Sequence, residues 1–165
     1  MRSTKNEGEL DMELKFQVQT RIQKPVEEVF DAVYNPDKLS GYFANGGASA
    51  PLDEGTEVMW KFADNPGTDQ IHEGLVTVKK MIPNELIVME WEGEPGKMTT
   101  TEMKFEGTEK GDTIVRISES GWTENQDGLN RSYGNCMGWS HMLMSLKAYV
   151  EYGINLRKGA YEGLY

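Results

Sequence analysis

The segment from about Arg131 to Leu156, RSYGNCMGWSHMLMSLKAYVEYGINL, constrains the fold more than any other stretch of the chain. Its apolar positions Cys136, Trp139, Leu143, Leu146, Val150 and Ile154 recur every three or four residues, which predicts one face of an amphipathic helix. Met137, Met142, Met144 and Tyr149 form a second stripe that widens this face. A helix with so broad an apolar face needs another layer to bury it. That layer has to come from the preceding residues, which read as strands and turns.

Residues 1–11 are polar and aperiodic and read as a flexible tail, with one domain expected over 12–165. From Met12 the chain alternates: Leu14, Phe16, Val18, Thr20 and Ile22 share one face, and Lys15, Gln17, Gln19 and Arg21 the other, as in a half-buried strand. Lys24-Pro25 stops that strand. Pro25 suits a first helical turn, and Val26, Val29, Phe30 and Val33 give the spacing of a short helix. Asn35-Pro36 ends it and opens a second helical turn carrying Leu39, Tyr42 and Phe43. ANGGASAPLDEG reads as loop. Five further strands are expected: TEVMWKF, with Val58, Trp60 and Phe62 on one face; IHEGLVTVKKM, with a bulge expected at Gly74; ELIVMEWEG; MTTTEMKFEG; and DTIVRISES. The separators NPG, IPNE, GEPG and EKGD are turn chemistry and predict an antiparallel meander. The expected fold is α+β: a curved antiparallel sheet of six to seven strands wrapped around a long C-terminal helix, with two short helices after strand one.

The balance of 17 Lys and Arg against 27 Asp and Glu leaves a net charge of −10, which argues against nucleic acid as a partner and against an anionic membrane. One cysteine, Cys136, excludes an intrachain disulfide and fits a reducing compartment. The N-terminal residues lack an apolar signal-peptide core, and no run reaches the roughly 18 apolar residues of a membrane span. The expected location is therefore cytoplasmic, without membrane insertion.

Two segments carry a family resemblance. The first runs Ile22-Gln-Lys-Pro25-Val26-Glu-Glu-Val29-Phe30-Asp-Ala-Val33, then Asn35-Pro36-Asp-Lys-Leu39 and Tyr42-Phe43. The second is Glu119-Ser120-Gly121-Trp122, followed by Gly138-Trp139-Ser140 and by Leu143, Leu146, Lys147, Ala148 and Tyr149. Together with the element order, these resemble the START-like or SRPBCC superfamily, the fold of the birch pollen allergen. Within it they resemble the AHSA-type subfamily, related to the C-terminal domain of the activator of the ninety-kilodalton heat-shock protein ATPase. The resemblance spans about residues 12 to 158 and implies the helix-grip fold. Members of the superfamily include hydrophobic-ligand binders, polyketide cyclases and aromatases, and lipid-transfer proteins. Chaperone activation does not follow from the resemblance, because the eukaryotic activator uses an additional N-terminal domain.

The candidate wall of a ligand cavity is Trp60, Phe62, Met89, Trp91, Met103, Trp122, Tyr133 and Met137, with Phe105 and Trp139 beside them. Any one of these alone reads as packed core; as a set inside this fold, with ten Met in the chain, they read as a cavity lining. Trp60, Trp91, Trp122 and Met137 are the preferred wall, and Tyr133, His141 and Glu119 the preferred polar contacts. Glu119 continues the apolar row of Val115 and Ile117, so it is the acid best placed for desolvation and for general acid or base work. Set against that is a solvent-facing acid at a strand end. Glu90 and Glu102 raise the same question with less support. His141 reads first as a surface or satisfied histidine, then as a ligand contact or base. Cys136 reads as a small buried hydrophobe and Arg116 as outward-facing. His72 and His141 with no HExxH or CxxC make no metal motif, and no cofactor is expected.

The expected function is non-catalytic binding of a small hydrophobic or aromatic molecule, lipid or polyketide-like, between sheet and helix. One alternative is a cyclase or aromatase in which Glu119 or His141 moves protons. The other is a chaperone-related interaction module, for whose protein partner the residues give no support.

Overall fold

The computed structural model describes residues 12–63 and 71–164. The expected tail over 1–11 and the NPG turn lie outside the described residues. The order is β1 (Lys15–Ile22), α1 (Val26–Tyr34), α2 (Pro36–Leu39), β2 (Gly47–Ala48), β3 (Glu57–Phe62), β4 (His72–Ile82), β5 (Leu86–Glu94), β6 (Lys97–Gly107), β7 (Thr113–Ser120) and α3 (Gln126–Tyr152). The strands form one antiparallel sheet in the order β1-β7-β6-β5-β4-β3-β2. Tight turns make the meander from β4 to β7, and the helical pair carries the chain from β1 at one edge to β2 at the other. This is the α+β architecture expected from the sequence, a curved open sheet gripping the last helix.

Strand alternation decides which side chains face α3. The buried rows include Val58 and Trp60, Val76 and Val78, Ile87 and Met89, Thr101, Met103 and Phe105, and Val115, Ile117 and Glu119. Trp139, Met142, Leu143 and Leu146 of α3 complete the core with Val29, Phe30 and Val33 of α1. A period of two from the sheet thus meets a period of 3.6 from the helix over a shared apolar layer. Tyr42 lies in that layer with its hydroxyl donating to the Ala32 carbonyl at 2.9 Å, and burial pushes this hydroxyl well above the usual tyrosine range.

Several local expectations need correction. The long helix begins at Gln126, where the Asn125 side chain accepts from the Gly128 amide at 2.8 Å. It ends at Tyr152, because Gly153 takes a left-handed conformation with φ 67° and caps the last turn. Ile154 therefore lies beyond the helix, and it is exposed. Met137 and Met144 face solvent and Cys136 is only half-buried, so of the second stripe only Met142 and Tyr149 are packed against the core. The loop ANGGASAPLDEG contributes the short edge strand β2. Gly74 stays in register opposite Trp60, and the irregularities fall between Val78 and Lys80 and between Glu92 and Glu94.

A buried carboxylate in an aromatic box

Glu119 is fully buried on the concave face near the end of β7. Its Oε1 accepts from Trp139 Nε1 at 2.8 Å and from Asn135 Nδ2 at 3.2 Å. Its Oε2 accepts from Thr99 Oγ1 at 2.6 Å, Trp91 Nε1 at 3.1 Å and Asn135 Nδ2 at 3.1 Å. Register explains the convergence. Thr99 lies directly opposite Trp91 between β6 and β5, and Thr101 lies opposite Glu119 between β6 and β7. Asn135 and Trp139 are four residues apart on α3, hence on one face. The carboxylate thus ties three strands to the long helix. The contacts are all from neutral donors, and no ion pair among the described residues includes Glu119. An ionised carboxylate only accepts, over about four lone-pair positions. The contacts from Trp91, Thr99, Asn135 and Trp139 fill those positions.

Gly93 makes room for this arrangement, and Gly74 lies under the Trp91 ring in ordinary contact. A Cβ on Gly93, at the β5 irregularity, would sit 2.3 Å from Thr99 Oγ1. A Cβ on Gly74 would meet the Trp91 ring at 3.6 Å, so the indole lies across this glycine on its way to Trp60.

Around the carboxylate the rings form a box. Trp60 meets Phe43, Trp91 and Trp139 edge-on, with centroids 5.4, 5.9 and 6.4 Å away. Trp91 and Trp139 are 5.4 Å apart, Phe43 stacks on Trp139 at 5.7 Å, and Phe62 meets Phe43 edge-on at 5.1 Å. Trp60 is 0% exposed, yet its Nε1–H has no acceptor among the described residues, and Thr101 Oγ1 is likewise buried without a partner. The segment after α3 folds back over the outer side of the box. Its Arg157 guanidinium lies 5.4 Å from the Phe43 ring centre, 5.0 Å from that of Phe62 and 4.7 Å from that of Tyr161. Tyr161 in turn reaches His141, with its hydroxyl 3.0 Å from Nδ1.

The structure brings together Trp60, Phe62, Trp91 and Glu119 of the residues expected from sequence, with Met89 and Met103 buried in the same core. It keeps others apart. Tyr133 is 63% exposed and Met137 47% exposed, on the solvent side of α3, so neither lines the box. His141 is exposed and meets the C-terminal segment rather than the carboxylate. Trp122 is buried but makes no ring contact with the box. Glu90 and Glu102 lie beside Lys79 and Lys104, and Arg116 pairs with Glu106 at 2.7 Å away from the interior. Among the described residues no group of His, Cys, Asp and Glu has the arrangement of a metal site. No helix among them is long and apolar enough to cross a membrane. Sequence reading missed Thr99, Asn135, Phe43, Arg157 and Tyr161 as site residues. The alternation of β6 and the four-residue step from Asn135 to Trp139 were the available signals for the first two.

Residues 23–151 match the family model described as Activator of Hsp90 ATPase homolog 1-like protein. The chain belongs to this family. Solved structures show the same fold. The protein SSP2350 from Staphylococcus saprophyticus is 23% identical with a TM-score of 0.71, over 88% of this chain and 97% of its own. The Aha1 dimer from Colwellia psychrerythraea is 24% identical with a TM-score of 0.68, over 85% and 98%. DynU16, encoded in the dynemicin biosynthetic locus, is 20% identical with a TM-score of 0.73, over 88% of this chain and 50% of its own. No curated protein matches the chain in sequence. The fold of this family is compatible with ligand binding.

Proposed function

We propose that this protein binds a small planar aromatic or hydrophobic molecule, without turning it over, against the box of Phe43, Phe62, Trp60, Trp91 and Trp139. The observation that carries this reading is the filled carboxylate of Glu119. Its donors occupy both oxygens, so taking a proton from a ligand requires one donor to leave first. What the carboxylate does as it stands is hold two indoles, Trp91 and Trp139, in fixed orientation. A rigid aromatic wall loses little side-chain entropy when a ligand packs on it. The DynU16 likeness is in keeping with an aromatic or polyketide-like ligand, and the acidic chain with a neutral rather than anionic one. A cytoplasmic location and the absence of a nucleic-acid partner belong to the same reading.

The test is a thermal-shift and tryptophan-quenching titration with 2-acetylnaphthalene, flavone, oleate and cholesterol sulfate. Ligand at a hundred times its Kd stabilises the folded state by about 2.7 kcal/mol. The expected result is quenching and a raised Tm with the aromatic probes, lost in Glu119→Gln. Absence of both signals across the panel would overturn the reading.

A further inference from the structure

We propose that the solvent face of α3 is a contact surface for a second copy of this chain, with the two helices crossing at Gly134 and Gly138. The face carries Tyr133, Met137 and Met144, three large exposed side chains whose spacing of four and then seven aligns them along the helix. Aromatic residues and Met grouped without charge have the composition of an interface core rather than of open surface. The glycines add a separate observation. Glycine is the poorest helix former after proline, and both lie in the interior of a 27-residue helix. Gly128, earlier on the same helix, is required by the fold: a Cβ there would sit 1.9 Å from the Thr123 carbonyl oxygen. A Cβ on Gly134 or Gly138 would meet no described residue within 4 Å. The described fold does not use the space these two glycines leave, and a second helix laid across them does.

Charge selects the occupant. The chain has a net charge of −10, yet α3 holds no Asp or Glu between Asp127 and Glu151. The two basic residues in that span, Arg131 and Lys147, pair within the helix with Asp127 and Glu151. The face therefore presents neither unpaired cations to an acidic partner nor carboxylates to a basic one. Its complement is another uncharged apolar face, and it is where two chains of this net charge meet without opposing acids. The sequence also fits itself. About a two-fold axis between Asn135 and Cys136, antiparallel helices place Met137 of one copy over Gly134 of the other and Tyr133 over Gly138, so each bulky side chain meets a gap.

Sedimentation velocity on the full chain, from about 5 μM to about 1 mM, tests this directly. The wild-type protein is expected to form dimers. Their Kd is expected to fall as NaCl is raised, because screening weakens the repulsion between the two net charges and leaves the apolar contact intact. Gly134→Leu and Met137→Glu should each raise that Kd by about tenfold or more. Both positions face open space in the single chain, so both variants should keep the wild-type circular dichroism, and the Gly134→Leu monomer should melt at or above the wild-type monomer. A wild-type chain still monomeric at about 1 mM would overturn the proposal and leave the aromatic-binding reading untouched. A dimer whose Kd either substitution leaves unchanged would overturn it by placing the contact on another face. A Gly134→Leu monomer melting well below the wild type would do so by showing that the glycine serves the chain's own fold.

Discussion

Glu119→Gln isolates the interaction on which the site depends. Glutamine keeps the side-chain volume but turns one acceptor oxygen into a donor NH2. Placed at the Oε1 position, that NH2 faces Trp139 Nε1–H, now 2.8 Å away, and Asn135 at 3.2 Å. Placed at Oε2, it faces Trp91 Nε1–H and Asn135 Nδ2, each at 3.1 Å, while the Thr99 hydroxyl at 2.6 Å can rotate and accept. The second placement is the cheaper one, and it still strands one buried indole donor. A stranded buried donor costs about 1–3 kcal/mol, and hydrogen bonds to a charged group are worth roughly 1 kcal/mol more than those to a neutral one. Losing the desolvation cost of a buried charge offsets part of this. The expected net destabilisation is about 2–4 kcal/mol, which for a chain of this size lowers Tm by roughly 5–15 °C. Urea unfolding followed in parallel by tryptophan fluorescence and circular dichroism measures it, with Glu92→Gln as an exposed control on the same sheet. A loss under about 0.5 kcal/mol, or a gain, would refute the reasoning, since the cost of burying the charge would then equal or exceed what its donors return.

Gly93→Ala should reproduce part of that loss without touching the carboxylate, because the new methyl collides with Thr99; a double-mutant cycle with Glu119→Gln should show the two changes to be less than additive. Arg157→Ala removes a cation from three rings and is expected to cost about 1 kcal/mol, while acrylamide quenching of tryptophan emission rises as the box becomes more accessible; unchanged quenching would show that this segment does not shield the box. Glu94 accepts from the Thr123 amide at 2.6 Å and the Thr123 hydroxyl at 2.8 Å, and these bonds hold its carboxyl below the usual range. Its contribution to stability is therefore fully present above the unfolded value of about 4.3 and is lost as pH falls through the lower folded value, so Glu94→Gln should flatten the acid limb of a Tm-against-pH curve.

The sheet was legible because alternation is a local signal. Each strand from β3 to β7 could be read from its own residues, and the row Val115, Ile117, Glu119 singled out the buried acid. The helix ends were less visible. The first turn, QDGLN, is largely polar, so periodicity is silent there and the Asn125 cap has to be read instead. At the other end Ile154 keeps the apolar spacing, but Gly153 overrides it through backbone conformation. Met137 and Met144 show a different limit: spacing groups them with Met142 and Tyr149 in one stripe, but an open sheet covers only one side of a helix, and only Met142 and Tyr149 lie on it. The clasp was beyond reach for a topological reason. Thr99 and Trp91 meet Glu119 only through the β5-β6-β7 register, and Asn135 and Trp139 only through the docking of α3. Arg157 and Tyr161 lie in a turn-rich segment with no period at all.

The sign of the Glu119→Gln effect also bears on chemistry. A catalytic acid or base is commonly held in surroundings that do not suit it, so its replacement is often neutral or stabilising, the usual trade of stability for activity. Glu119 has the opposite environment: hydrogen-bond donors converge on both oxygens, and the elements that carry them are the strands and helix that form the core. If the side chain serves to set ring orientation, stability and affinity for an aromatic probe must fall together in Glu119→Gln and Gly93→Ala, because the first strands an indole donor and the second displaces Thr99, which shares Oε2 with Trp91. A stabilised Glu119→Gln that keeps its affinity would place the carboxylate on the catalytic side of that divide.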